Sequence, residues 1–132
     1  MDLKHSDITG NIIGCAMEVH RQLKNGFQEY VYGNALEIEF KVKSIKYIRE
    51  YEMLIYYKGS VIGKRIVDFW VENTIMLEIK AQSELNDIHL AQAINYLESS
   101  AAEIGLLINF GAPSLQFRRL ENRKLLKSPL QS

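Results

Sequence analysis

The feature that most restricts the fold is a short polar turn at residues 72–74 between two segments whose side chains alternate between two faces. Both flanking segments have the composition and alternation of β-strands. If Val71 faces Ile75 across the turn, Asp68 faces Glu78. One face of this predicted hairpin is then wholly apolar and belongs in the core: Val67, Phe69, Val71, Ile75, Leu77 and Ile79. The opposite face carries Ile66, Asp68, Trp70, Met76, Glu78 and Lys80.

Two helices are predicted before this hairpin. A cap at Ser6 or Asp7 begins a helix that ends near Leu23, with an inward row of Ile8, Ile12, Cys15, Ala16 and Val19. A second helix is predicted from about Gln28 to Val42, with a buried stripe of Val31, Ala35, Ile38 and Val42.

Strands are predicted at 45–58, 61–71, 75–80, 103–109 and 115–120, and a helix capped by Asn86 or Asp87 lies between the third and fourth. The order ααβββαββ predicts an α/β or α+β fold with a mixed sheet.

Bulk composition restricts the class further. The chain of 132 residues is predicted to form one domain, residues 1–132, and its hydrophobic fraction of 47% is enough for a core. The net charge is zero, so a strongly basic coat for nucleic acid is absent. A single cysteine and the absence of a membrane-spanning apolar stretch fit a cytoplasmic protein without membrane contact.

The acidic pair on the hairpin carries the predicted chemistry. Asp68 and Glu78 would have Cβ atoms about 5 Å apart, where two carboxylates repel unless a cation neutralises them. Carboxylate oxygens suit Mg²⁺ or Mn²⁺. Lys80, on the same face, would orient a water or stabilise a phosphoryl oxygen. The alternative is a solvated strand face on which Lys80 pairs with Glu78, and a register shift of one residue would separate the acids.

Two helices offer further site residues. His89, Gln92 and Tyr96 lie on one arc of the third helix, next to its buried side, where Gln92 could hold a water or a phosphate. Boundary packing is the alternative for Gln92 and Tyr96, and a structural role is favoured for His89. On the second helix, Glu29 and Tyr32 share a side, although Glu29 also suits the helix N-terminus for its dipole.

Together these residues resemble the PD-(D/E)XK nuclease superfamily, in which an Asp is followed by Glu-x-Lys after a turn and then by a helical Gln. The segment 26–32, Gly-Phe-Gln-Glu-Tyr-Val-Tyr, matches the motif that gives the GxxExxY protein family its name. The segments 13–20, 92–97 and 107–111 also resemble sequences of this family, so the resemblance covers about residues 7–121. It implies a restriction-endonuclease-like core in which a mixed β-sheet is flanked by helices. One departure is Val67 in the place of the proline.

The resemblance also implies roles. The catalytic residues would be Asp68, Glu78, Lys80, Gln92 and Glu29, and the Mg²⁺ or Mn²⁺ ligands would be Asp68, Glu78 and Ile79. The expected substrate is nucleic acid, DNA rather than RNA, contacted by Tyr32, Tyr96, Arg118 and Arg119. A homo-oligomer or a protein partner is a further expectation.

Two other functions remain open at this point. The same fold could work as a non-catalytic module that binds nucleic acid or protein, although the retained Asp, Glu, Lys and Gln argue against it. A metal-dependent phosphoesterase acting on a small nucleotide would need a closed pocket. The basic residues near the end of the chain, from Arg118 to Lys127, could equally be a solvated face.

Overall fold

The computed structural model describes residues 3–125. Its elements follow the predicted order: α1 (Ser6–Leu23), α2 (Glu29–Val42), β1 (Tyr47–Tyr57), β2 (Ser60–Val71), β3 (Ile75–Lys80), α3 (Asp87–Glu98), β4 (Ile104–Asn109) and β5 (Gln116–Glu121). The last basic position considered above, 127, lies outside the described residues. No helix in the described part of the chain is long and apolar enough to cross a membrane.

The five strands form one mixed sheet in the order β1-β2-β3-β4-β5. Strands β3 and β4 are parallel and α3 connects them, whereas the other neighbouring strands are antiparallel. A parallel pair needs such a crossover because a tight turn cannot join its ends. The mixed sheet with three flanking helices is the α+β architecture that the resemblance implies, and this prediction is confirmed.

Each face of the sheet has its own apolar cluster. On the first face, α1 and α2 cover Phe69, Val71, Ile75, Leu77 and Ile79 together with residues of β4. On the second face, α3 contributes Ala93 and Leu97 to a smaller cluster with one residue from each of the five strands: Met53, Val67, Met76, Leu107 and Leu120. The strands β3 and β4 are thus buried on both sides, as expected for a parallel pair.

The buried side of α2 differs from the predicted one. Ile38 and Val42 are 61% and 69% exposed, whereas the completely buried row consists of Tyr32, Leu36 and Phe40. The two rows are adjacent on the helix, and aromatic contacts select between them. Tyr32 stacks on Phe110 at 4.8 Å between ring centroids, and Phe40 meets Phe69 edge-on at 5.5 Å.

The predicted cap of α1 is also wrong. His5 occupies the N-cap position in the left-handed conformation, and its side chain makes no capping hydrogen bond. The prediction for α3 is confirmed at Asn86, whose side chain accepts a hydrogen bond from the His89 backbone N–H at 2.9 Å.

In the two long strands β1 and β2, the alternation of side chains between the two faces of the sheet is interrupted at one level. Arg49 pairs with Phe69 and Tyr51 pairs with Val67, but the residues between them do not form a register pair. One of these is Glu50, which has a left-handed φ of 56°. Alternation breaks here, so Val67 packs in the α3 cluster and not beside Phe69. The prediction that Val67 shares a face with Phe69 is therefore wrong.

Candidate active site

The hairpin between β2 and β3 has the predicted register near its turn. Val71 pairs with Ile75, Trp70 with Met76 and Phe69 with Leu77. The ladder stops there, and the Asp68 side chain takes over: its Oδ2 accepts a hydrogen bond from the Ile79 backbone N–H at 2.7 Å. The Asp68 carboxylate is thus fixed between the strands at the level where β2 changes face.

Glu78 lies next to this carboxylate and is only 5% exposed. Its pKa is raised from 4.5 to about 8, first by burial and then by the negative charge of Asp68. A hydrogen bond between the two carboxyl groups also favours the protonated form of Glu78, while Arg65 opposes the shift. The structure therefore brings the two acids together, at a place where both cannot hold a negative charge without compensation. The prediction that they form a register pair on one face is wrong, because Asp68 lies on the α2 side whereas Glu78 and Lys80 lie on the α3 side.

Lys80 shares a narrow cleft with Glu78 on the α3 side of the sheet. The cleft is also lined by Arg65 from β2 and by His89, Gln92 and Tyr96 from α3. Its free volume is about 10 Å³, room for about one water molecule. The predicted arc of α3 thus faces the Glu78 side of the acidic pair.

Glu29 approaches the pair from the other side of the sheet. It is the first residue of α2, half-buried, and lies in a depression of about 230 Å³ with Asp68, Glu50 and Arg49. Burial raises its pKa, and the charge of Asp68 raises it further, while Lys80 and Arg65 lower it. Glu29 therefore lies within electrostatic reach of both Asp68 and Lys80, beyond any role at the helix N-terminus.

The donor set fits a small divalent cation that takes oxygen ligands. The carboxylates of Asp68 and Glu78 supply oxygens, and a cation between them would offset the burial and the repulsion that raise the pKa of Glu78. The Ile79 side chain is buried in the core, so only its backbone carbonyl could be a ligand. Within residues 3–125 there is no cluster of three or more His, Cys, Asp or Glu side chains able to hold a metal ion.

The segment that follows Lys80 is fixed to the end of β4. Asn109 is completely buried; its Oδ1 accepts from the Gln82 backbone N–H at 2.8 Å, and its Nδ2 donates to the Gln82 carbonyl at 2.9 Å. The Phe110 N–H donates to the Lys80 carbonyl at 2.9 Å. A Cβ at Gly111 would overlap the backbone of Ala81 and Gln82, so only glycine fits there. These contacts hold the end of β3 in place.

Tyr32 and Arg119, two of the residues predicted to contact nucleic acid, are not placed as expected. Tyr32 is completely buried, and its hydroxyl donates to the Lys24 carbonyl, so its ring is not available to a nucleic acid. Arg118 and Arg119 point to opposite faces of β5. Arg118 is exposed and pairs in register with Leu107, which lines the α3 cleft; Arg119 donates to the Lys4 carbonyl on the α1 side.

Sequence patterns missed Arg65. Its Nε donates to Glu78 Oε1 at 3.3 Å, and its guanidinium lies over the Tyr96 ring, 4.7 Å from the centroid. Simple alternation puts Arg65 on the same face as Phe69, away from Glu78. The change of face at Asp68 turns it to the α3 side, and no local signal in the sequence announces that change.

Fold and site together define a nuclease-like domain. The chain matches the sequence profile of the PD-(D/E)XK nuclease superfamily over residues 6–120. That match covers most of the chain, so the protein belongs to this superfamily. No curated protein and no solved structure matches the chain significantly.

Proposed function

We propose that this protein is a nuclease that depends on Mg²⁺ or Mn²⁺ and hydrolyses phosphodiester bonds of nucleic acid, DNA rather than RNA, as a member of the GxxExxY family. One observation carries the proposal: Asp68 and Glu78 lie together where β2 and β3 separate, with Lys80 in the cleft that Glu78 lines. Superfamily membership supports it, because these nucleases generally use divalent metal ions.

Each residue has a distinct task in this proposal. Asp68 and Glu78 would hold the cation with the Ile79 carbonyl, and the Ile79 N–H keeps Asp68 oriented. When bound, the cation supplies charge neutralisation at the phosphate and a lowered pKa for water. Lys80 orients the attacking water, and the Gln92 amide positions water or phosphate at the α3 side. Glu29 stands across the sheet, where it can accept a proton.

The test is cleavage of supercoiled plasmid, single-stranded DNA and RNA in MgCl₂ or MnCl₂, with EDTA as the blank. Asp68→Asn and Lys80→Ala are expected to lose about 100-fold or more of the rate, as is typical when a group acting on charge or proton transfer is removed. The matched control is Lys64→Ala, because Lys64 is exposed on β2 and pairs with Glu52, away from the cleft. Equal cleavage by all variants would refute the assignment.

The non-catalytic module remains the second candidate because of one observation. No cluster of three or more potential side-chain ligands is present within the described residues. In the same assay it predicts binding of nucleic acid that does not need a metal, with no cleavage by the wild type. Calorimetric titration with MnCl₂ separates the two functions further, since only the nuclease requires binding that is lost in Asp68→Asn.

A further inference from the structure

The Arg65 guanidinium has more hydrogen-bond donors than its contact with Glu78 uses. It makes one long hydrogen bond, from Nε to Glu78 Oε1 at 3.3 Å. Within residues 3–125 no hydrogen-bond partner is found for its Nη1 and Nη2, which carry four of the five guanidinium donors. The side chain remains 35% exposed. An arginine serving only to neutralise a carboxylate would be expected to present the two-pronged geometry to it.

Tyr96 holds the guanidinium in place at the mouth of the cleft. The ring lies 4.7 Å from the Arg65 Cζ, a stacking distance that restricts the long side chain. An arginine fixed in this way loses less freedom when it binds an oxyanion, and its planar fork matches two phosphate oxygens. Arg65 is therefore preorganised in the cleft that Lys80 and Gln92 also line.

The two sides of the site differ in charge. The depression on the α2 side is lined by the acids Glu29, Glu50 and Asp68 with one cation, Arg49, which is already paired with Glu37 at 3.0 Å. The α3 cleft contains Arg65 and Lys80 against the single acid Glu78. A phosphodiester is repelled from the first side and attracted to the second.

We infer that Arg65 is the phosphate-binding residue of this site, and that nucleic acid approaches from the α3 side, where Tyr96 holds the guanidinium ready. This inference rests on the proposed function. Arg118 is exposed on the same face of the sheet, where it pairs in register with Leu107 of β4.

The test is the salt dependence of binding. A fluorescein-labelled single-stranded 12-mer of DNA is titrated by anisotropy in EDTA at pH 7, over a series of KCl concentrations. Each phosphate contact adds about 0.7 to the slope of log Kd against log salt for a single strand. Arg65→Gln is expected to reduce the slope by about 0.7, whereas Arg65→Lys keeps the slope and binds more weakly. Lys64→Gln, which removes the same charge from the next residue, leaves the slope unchanged.

The same substitutions in a Glu78→Gln background separate phosphate binding from support of Glu78. The inference requires that Arg65→Gln lowers affinity and slope in both backgrounds. It is overturned if the effect disappears with Glu78→Gln, if the slope never changes, or if the wild type does not bind the 12-mer at any salt concentration. In cleavage assays Arg65→Gln should raise KM more than it lowers kcat.

The two proposals can fail separately. A changed slope in a protein that cleaves no nucleic acid in MnCl₂ refutes hydrolysis and leaves Arg65 as a phosphate contact. Metal-dependent cleavage with an unchanged slope refutes the role of Arg65 and leaves the nuclease.

Discussion

Replacing Glu78 with glutamine should make the metal-free protein more stable at neutral and alkaline pH. Glu78 is buried beside Asp68, and its pKa is raised from 4.5 to about 8. When folding raises the pKa of a group, its contribution to the free energy of unfolding is fully present below the unfolded pKa. That contribution is lost as pH rises through the folded pKa. At 1.36 kcal/mol per pKa unit, wild type loses about 3 kcal/mol by pH 7 and about 5 kcal/mol above pH 8. Glutamine stays neutral and can still donate to Asp68.

The assay is urea denaturation in EDTA between pH 4.5 and 9, followed by circular dichroism. The difference in free energy of unfolding between Glu78→Gln and wild type should be small at pH 4.5 and grow with pH. Glu52→Gln is the matched control, because Glu52 pairs with Lys64 on the exposed part of β1, its side chain 52% exposed. If the free energies of unfolding of wild type and Glu78→Gln change in parallel with pH, charging Glu78 does not destabilise the folded protein, and the reasoning is refuted.

Three further outcomes follow from the site and its supports. Because a cation must displace the Glu78 proton, Mn²⁺ affinity measured by calorimetry should rise about tenfold per pH unit from 6 to 8 and then level, with a proton released on binding; a flat profile would contradict this. Tyr32→Ala should cost about 3–5 kcal/mol of unfolding free energy and Tyr32→Phe about 1 kcal/mol, with DNA affinity of the Phe variant unchanged; weaker DNA binding by Tyr32→Phe would restore the surface role. Gly111→Ala should cost about 1–3 kcal/mol in urea denaturation and reduce cleavage by moving the end of β3, whereas Gly63→Ala, with open space around it, should leave cleavage unchanged.

The order of elements could be predicted because the hydrophobic period changes clearly along the chain. Helical spacing in the first part gives way to alternation, and the limits of β3 were predicted correctly as residues 75–80. The buried side of α2 could not be predicted in the same way. Both the row of Val31 and Ile38 and the row of Tyr32 and Leu36 are apolar at helical spacing. Only contacts with distant residues, such as the stacking of Tyr32 on Phe110, decide which row is buried.

The acidic pair could be predicted because it depends only on a short turn and a local register. Three register pairs next to the turn are those expected, and they bring β2 and β3 together just before Asp68. Arg65 lies beyond the point where alternation fails, so a rule of period two assigns it to the wrong face. The cause is a backbone feature, the left-handed Glu50 opposite Asp68, at a residue type with no special preference for that conformation.

This change of face also explains how one sheet can support a site with two different sides. If alternation continued unbroken, Arg65 and Val67 would point toward α1 and α2, and the α3 cleft would lose its arginine. Because β2 changes face at Asp68, Arg65 lines the basic cleft with Lys80, whereas Asp68 itself lies in the acidic depression with Glu29. The carboxylates of Asp68 and Glu78 meet at the boundary between these two environments. In the proposed nuclease, a cation held there would have acids on one side and phosphate-attracting groups on the other, a separation that suits hydrolysis of an anionic substrate.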